Sequence, residues 1–151
     1  MKNYAIVFLV ITLLTSCNKD DDVKDYKMIN EEEIVAYIAA NNLNAEKSSS
    51  GLYYVIDEPG IGKQPTATSN VTVAYKGYFI DGTVFDQSDA NGISFGLQRV
   101  IEGWTEGITY FKEGGEGILL VPSELGYGDA GRNTIPGGAV LVFDIKLISV
   151  N

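Results

Sequence analysis

Val100-Ile101-Glu102-Gly103-Trp104-Thr105-Glu106-Gly107-Ile108 decides the fold of this 151-residue chain and holds its only tryptophan. Ile101, Trp104 and Ile108 recur at i, i+3 and i+7. A helix over this stretch therefore carries them on one face, with Glu102 and Glu106 elsewhere. Gly103 and Gly107 are poor helix residues, each costing on the order of 1 kcal/mol relative to alanine. Their presence predicts that another backbone comes close. So short a helix does not stand alone in water, and the β-rich remainder of the chain must wrap it.

On both sides of this stretch the pattern is that of strands. Residues 52–56 (LYYVI) are β-branched and aromatic. Residues 70–79 alternate, with Val71, Val73, Tyr75 and Gly77 on one face and Thr72, Ala74, Lys76 and Tyr78 on the other. Asp81-Gly82 is a hairpin turn signal. Val84-Phe85-Asp86 follows, then a polar loop over 87–92, and Ile93-Ser94-Phe95 leads into the tryptophan helix. Residues 116–122 form another strand, and 123–138 a glycine-rich loop carrying Tyr127. The last strand spans 139–150, with Leu141, Phe143, Ile145 and Leu147 opposed to Val140, Val142, Asp144 and Lys146. The sum is an α+β plan: a curved antiparallel sheet of about five strands wrapped around one short helix over residues 51–151, preceded by a helical extension.

The absence of histidine excludes histidine catalysis and most metal centres, so neither a metal nor a cofactor is expected. A net charge of −9 argues against nucleic acid as a partner. The single cysteine, Cys17, forms no intrachain disulfide. It follows Lys2, an apolar run over 5–14 too short to span a bilayer, and Leu14-Thr15-Ser16. That stretch resembles the bacterial lipobox. The resemblance implies a signal peptide over 1–16, cleavage before Cys17 and attachment of lipid to it, which places the chain in the cell envelope, on its periplasmic or surface face.

Residues 17–30 read as the lipidated cysteine and a flexible acidic tether. Asn30, followed by three glutamates, reads as the cap of a helix over about 31–41, whose stripe of Ile34, Tyr37 and Ile38 needs a partner. That partner is either the following domain or a second copy of the chain, which would make a homodimer. Residues 47–51 read as a joint, so 31–50 form the helical extension.

Five stretches in order resemble the FK506-binding-protein family of peptidyl-prolyl cis–trans isomerases. They are Val73-Ala74-Tyr75-Lys76-Gly77, Asp81-Gly82-Thr83-Val84-Phe85-Asp86, Val100 to Gly107 as quoted above, Tyr127-Gly128, and Ala139-Val140-Leu141-Val142-Phe143-Asp144. The resemblance implies catalysis by Tyr75, Phe85, Asp86, Trp104, Tyr127 and Phe143, with Val100, Ile101, Ile135 and Ile93 binding the substrate. Trp104 would be the floor, and Phe85 and Phe143 the walls against a prolyl ring. Asp86 would bond the Tyr75 hydroxyl, while the Tyr127 hydroxyl and the Ile101 N–H would hold substrate carbonyls. Proline-containing polypeptides are the implied substrates, and an FK506-like macrolide an implied ligand. By pattern alone, Tyr75, Trp104 and Phe143 read as core residues.

The resemblance has departures. Arg132 stands where a histidine is common, Arg99 where a Glu or Gln is usual, Ile93 where a third aromatic wall often lies, and Thr134 where an apolar residue is common. A second function class stays open beside the isomerase: a module that binds proline segments without needing turnover.

Overall fold

The computed structural model describes residues 24–151. Cys17, the signal peptide over 1–16 and the first part of the tether lie outside the described residues. In chain order the elements are α1 (Tyr26–Ala40), β1 (Glu46–Lys47), β2 (Tyr53–Glu58), β3 (Asn70–Phe79), β4 (Val84–Gln87), β5 (Ile93–Gly96), α2 (Glu102–Gly107), β6 (Glu116–Val121) and β7 (Leu141–Val150).

Every strand pairing is antiparallel, in the order β1-β2-β6-β7-β3-β4, with β5 also on β3. Seven strands replace the expected five or so. β4 and β5 share one edge of β3, β5 beside Asn70 to Val73 and β4 beside Lys76 to Tyr78. Between them Ser88 stands in for a strand: its N–H donates to Tyr75 O, and its Oγ accepts from Tyr75 N at 2.9 Å. The one strand that no stretch of the sequence suggested, β1, ends at Lys47, where the expected joint begins. A turn closed by Ser48 N–H to Leu52 O joins it to β2, and Ser50 Oγ donates to Glu106 Oε2 at 2.6 Å. The joint is fastened to the domain at α2.

Alternation sorts β7 as expected. Leu141, Phe143, Ile145 and Leu147 enter the main core with Val71, Val73, Leu119, Val121, Trp104 and Ile108. Val140 and Val142 enter a second core with Ile34, Tyr53 and Leu120, against which Tyr37 and Ile38 pack. The sheet is thus covered on both faces, by α2 on the inside and α1 on the outside. The apolar stripe of α1 finds its partner in the domain that follows it.

Two expectations need correction. Helix α1 begins at Tyr26, inside the expected tether, with Asp25 as its cap through Met28 N–H at 3.3 Å. Asn30 is not a cap but a fully buried residue in the second turn. Its Oδ1 accepts from Ser123 N at 2.7 Å and its Nδ2 donates to Gly138 O at 2.8 Å. At Gly103 and Gly107 side chains, not a backbone, come close. A Cβ on Gly103 would lie 2.5 Å from Val121 Cγ1, and one on Gly107 2.7 Å from both Leu119 methyls. Those two glycines let α2 settle onto β6.

Candidate active site

Inside the curve of the sheet, above α2, lies a cavity of about 460 Å³. Trp104, on the first turn of α2, is its floor and is only 5% exposed. Phe143 from β7 meets the Trp104 ring edge-on, with centroids 5.2 Å apart at 80°. Tyr75 from β3 does the same at 4.9 Å and 85°. Phe85 packs edge-on against Phe143 at 5.6 Å and 89°. Such T-shaped contacts match the positive edge of one ring to the negative face of the next, and they hold the walls without filling the bowl. The Trp104 indole N–H is buried and has no hydrogen-bond partner among the described residues.

Phe85 and Asp86 are adjacent in β4, yet both line the cavity. Regular alternation would put them on opposite faces. A bulge resolves this: Gly77 pairs with Asp86 while Tyr78 pairs with Val84, so Phe85 is the extra residue. Gly77 makes room for it, since a Cβ there would lie 2.7 Å from the Phe85 ring and 2.9 Å from that of Phe143.

Asp86 Oδ2 accepts the Tyr75 hydroxyl at 2.7 Å. Burial first, then this bond to a carboxylate, pushes the Tyr75 phenol well above its ordinary value. The hydroxyl is a fixed donor at neutral pH. Val100 and Ile101 line the rim where the chain enters α2. The Ile101 carbonyl accepts from Trp104 and Thr105 N–H at 2.9 and 3.1 Å, while its own N–H makes no hydrogen bond among the described residues. Tyr127 lines the cavity from the loop after β6.

Nine of the ten residues suggested by the resemblance therefore share this cavity, Ile93 among them. Ile135 does not line it. It packs at the edge of the main core and exchanges backbone hydrogen bonds of 2.9 Å with Arg132. Phe95 was missed as a wall: it lines the cavity with its ring 5.4 Å from Trp104. The strand period contained the signal, because Phe95 lies two residues from Ile93, and the two pair with Val71 and Val73 on the inner face. Arg99, Gly126 and Arg132 complete the lining.

Residues 62–148 match the model of the family described as FKBP-type peptidyl-prolyl cis-trans isomerase. The probable FKBP-type peptidyl-prolyl cis-trans isomerase FkpA of Neisseria meningitidis serogroup B is 46% identical over 126 residues, which are 80% of this chain and 46% of that protein. The chain thus spans about half the length of this relative. The crystal structure of FkpA from Escherichia coli superimposes with a TM-score of 0.74 at 40% identity, covering 83% of this chain and 61% of that one. A peptidyl-prolyl cis-trans isomerase from Pseudomonas syringae pv. tomato gives 0.71 at 30% identity, covering 83% and 96%. With more than half of its length in that match, the chain belongs to the family of FKBP-type peptidyl-prolyl cis-trans isomerases.

Proposed function

We propose that this cavity binds X–Pro segments of exported polypeptides and accelerates their cis–trans exchange. The observation that carries the reading is the aromatic bowl itself, walled by Tyr75, Phe85, Phe95 and Phe143 above Trp104. Rotation about a peptide bond meets a barrier of about 18–20 kcal/mol, so spontaneous prolyl exchange takes tens to hundreds of seconds. Twisting the amide breaks its resonance and localises a lone pair on the prolyl nitrogen. No bond is made or cut, so the step calls for no nucleophile or metal. The aromatic floor and walls disfavour the polar planar amide relative to the twisted one. In this reading the Ile101 N–H, which makes no hydrogen bond among the described residues, and the Tyr127 hydroxyl would hold substrate carbonyls, and the Asp86–Tyr75 pair would act beside the twisting bond. A 10⁵-fold acceleration corresponds to about 7 kcal/mol of preferential binding to the twisted state.

The lipobox-like stretch ending in Cys17 supports a lipid-anchored folding helper of the bacterial envelope. Incorporation of labelled palmitate, lost in Cys17→Ala, tests the anchor. A homodimer through α1 loses its motive, since Ile34, Tyr37 and Ile38 pack on the chain's own sheet.

The deciding experiment follows cis-to-trans relaxation of a prolyl tetrapeptide with and without an FK506-like macrolide. Inhibitable acceleration, lost in Asp86→Val and Phe143→Ala, establishes the isomerase. A folded protein that binds the peptide without accelerating it is instead a proline-binding module.

A further inference from the structure

Arg99 and Arg132 are the only arginines of the sequence; every other cation is a lysine. Both line the cavity. They reach it from unrelated parts of the chain. Arg99 ends a 3-10 turn between β5 and α2, and Arg132 sits in the loop after β6. The Arg132 backbone is fixed by its reciprocal 2.9 Å hydrogen bonds with Ile135.

Among the described residues neither guanidinium makes an ion pair, although acids outnumber cations by nine in the sequence. The ion pairs found there use Lys27, Lys47 and Lys146. The one other charged residue of the lining is Asp86, whose Oδ2 is engaged by the Tyr75 hydroxyl. The lining thus carries an excess of positive charge on a chain that is otherwise acidic. Arginine is also the cation whose planar fork fits a carboxylate with two parallel hydrogen bonds.

We propose that Arg99 and Arg132 make the cavity selective for prolyl segments in which an aspartate or glutamate flanks the proline. The inference rests on the isomerase reading and specifies its substrate class. The two arginines offset the repulsion that an acidic protein exerts on an acidic segment, and they act on the residues beside the prolyl ring while the aromatic bowl takes the ring itself.

The test uses the full chain in uncharged detergent micelles and capped peptides that differ only by Glu or Gln, placed before or after the proline. The quantity read is the ratio of kcat/KM for the Glu peptide to that for the Gln peptide. A ratio of roughly three to five at an ionic strength of about 10 mM is expected in at least one position, the size typical of exposed ion pairs. It falls toward one near 1 M salt, where the screening length shrinks to about 3 Å. In R99Q/R132Q, checked for an unchanged melting temperature, the ratio is one or below. A wild-type ratio of one or less in both positions overturns the proposal, as does a ratio that persists in the double variant. If neither peptide is turned over, the isomerase reading has failed. The same ratio is then read from peptide binding, by the change in Trp104 fluorescence: about threefold or more sustains the selectivity, and parity overturns it.

Discussion

Replacing Asn30 with leucine isolates what α1 does for the cavity. Asn30 is fully buried and spans the two ends of the loop that carries Gly126, Tyr127 and Arg132. Leucine has nearly the same shape but neither donor nor acceptor, so Ser123 N–H and Gly138 C=O are left unpaired in the interior. Each such group costs about 1–3 kcal/mol. The pair predicts a loss of roughly 2–6 kcal/mol of stability, or about 5–25 °C in melting temperature for a domain of this size. Thermal and urea unfolding give the number directly. Val35→Ala on the exposed face of the same helix is the control, expected within about 0.5 kcal/mol of wild type. The freed loop also predicts a higher KM for prolyl peptides, because Tyr127 and Arg132 lose their anchorage. An Asn30→Leu protein as stable as the Val35→Ala control would refute the view that α1 clamps this loop.

Phe143→Ala removes a wall that touches Trp104, Phe85 and Tyr75, and it should cost about 3–5 kcal/mol of stability as well as activity, read by urea unfolding and peptide relaxation. Burial raises the phenols of Tyr53, Tyr54, Tyr75, Tyr78 and Tyr110 above the ordinary value of 10, that of Tyr110 to about 12 with the help of its hydrogen bond to Glu106. Their contribution to stability is whole below pH 10 and is lost as the pH climbs through the folded values. Absorbance at 295 nm should therefore show these tyrosines ionising late, together with unfolding. Burial alone would raise the Glu106 carboxyl, but hydrogen bonds from Ser50, Tyr110 and Ser48 outweigh it and hold the group below 4.5. Its stabilisation is present above that pH and is lost as the pH falls through the depressed value. Melting temperature should thus decline less steeply on acidification in Glu106→Gln than in the wild type.

The parts of this architecture that depend on period were legible in the residues. The two-residue repeat of β3 and β7 put the right side chains inside, and the 3-4 spacing of Ile101, Trp104 and Ile108 marked the helix beneath them. What the period could not disclose depends on partners distant in sequence. The Phe85 bulge is a property of how β4 pairs with β3, and no residue type in Val84-Phe85-Asp86 announces it. Asn30 resembled a cap because Asn and a run of glutamates suit a helix start, whereas its real partners lie 93 and 108 residues away. Strand β1, two residues long, is too short for any pattern. Phe95 was within reach, two residues along the strand from Ile93, but the resemblance drew attention to a single position there.

Strand β7 lies in the middle of the sheet, hydrogen-bonded to β6 on one side and β3 on the other, and it is made after every other strand described. While it is still missing, the sheet exists only as two halves, β1-β2-β6 and β3 with its two short partners, and neither half has a completed face for Trp104 to rest under. Closure therefore depends on contacts between residues some seventy positions apart, which makes it slow by the measure of contact order. Synthesis of this domain should therefore meet an all-or-none event: the sheet cannot close until β7 has emerged to join β3 and β6. A segment stopped short of Leu141 should be digested by protease rather than keep a loosened cavity, since β6 and β3 then have nothing to join them.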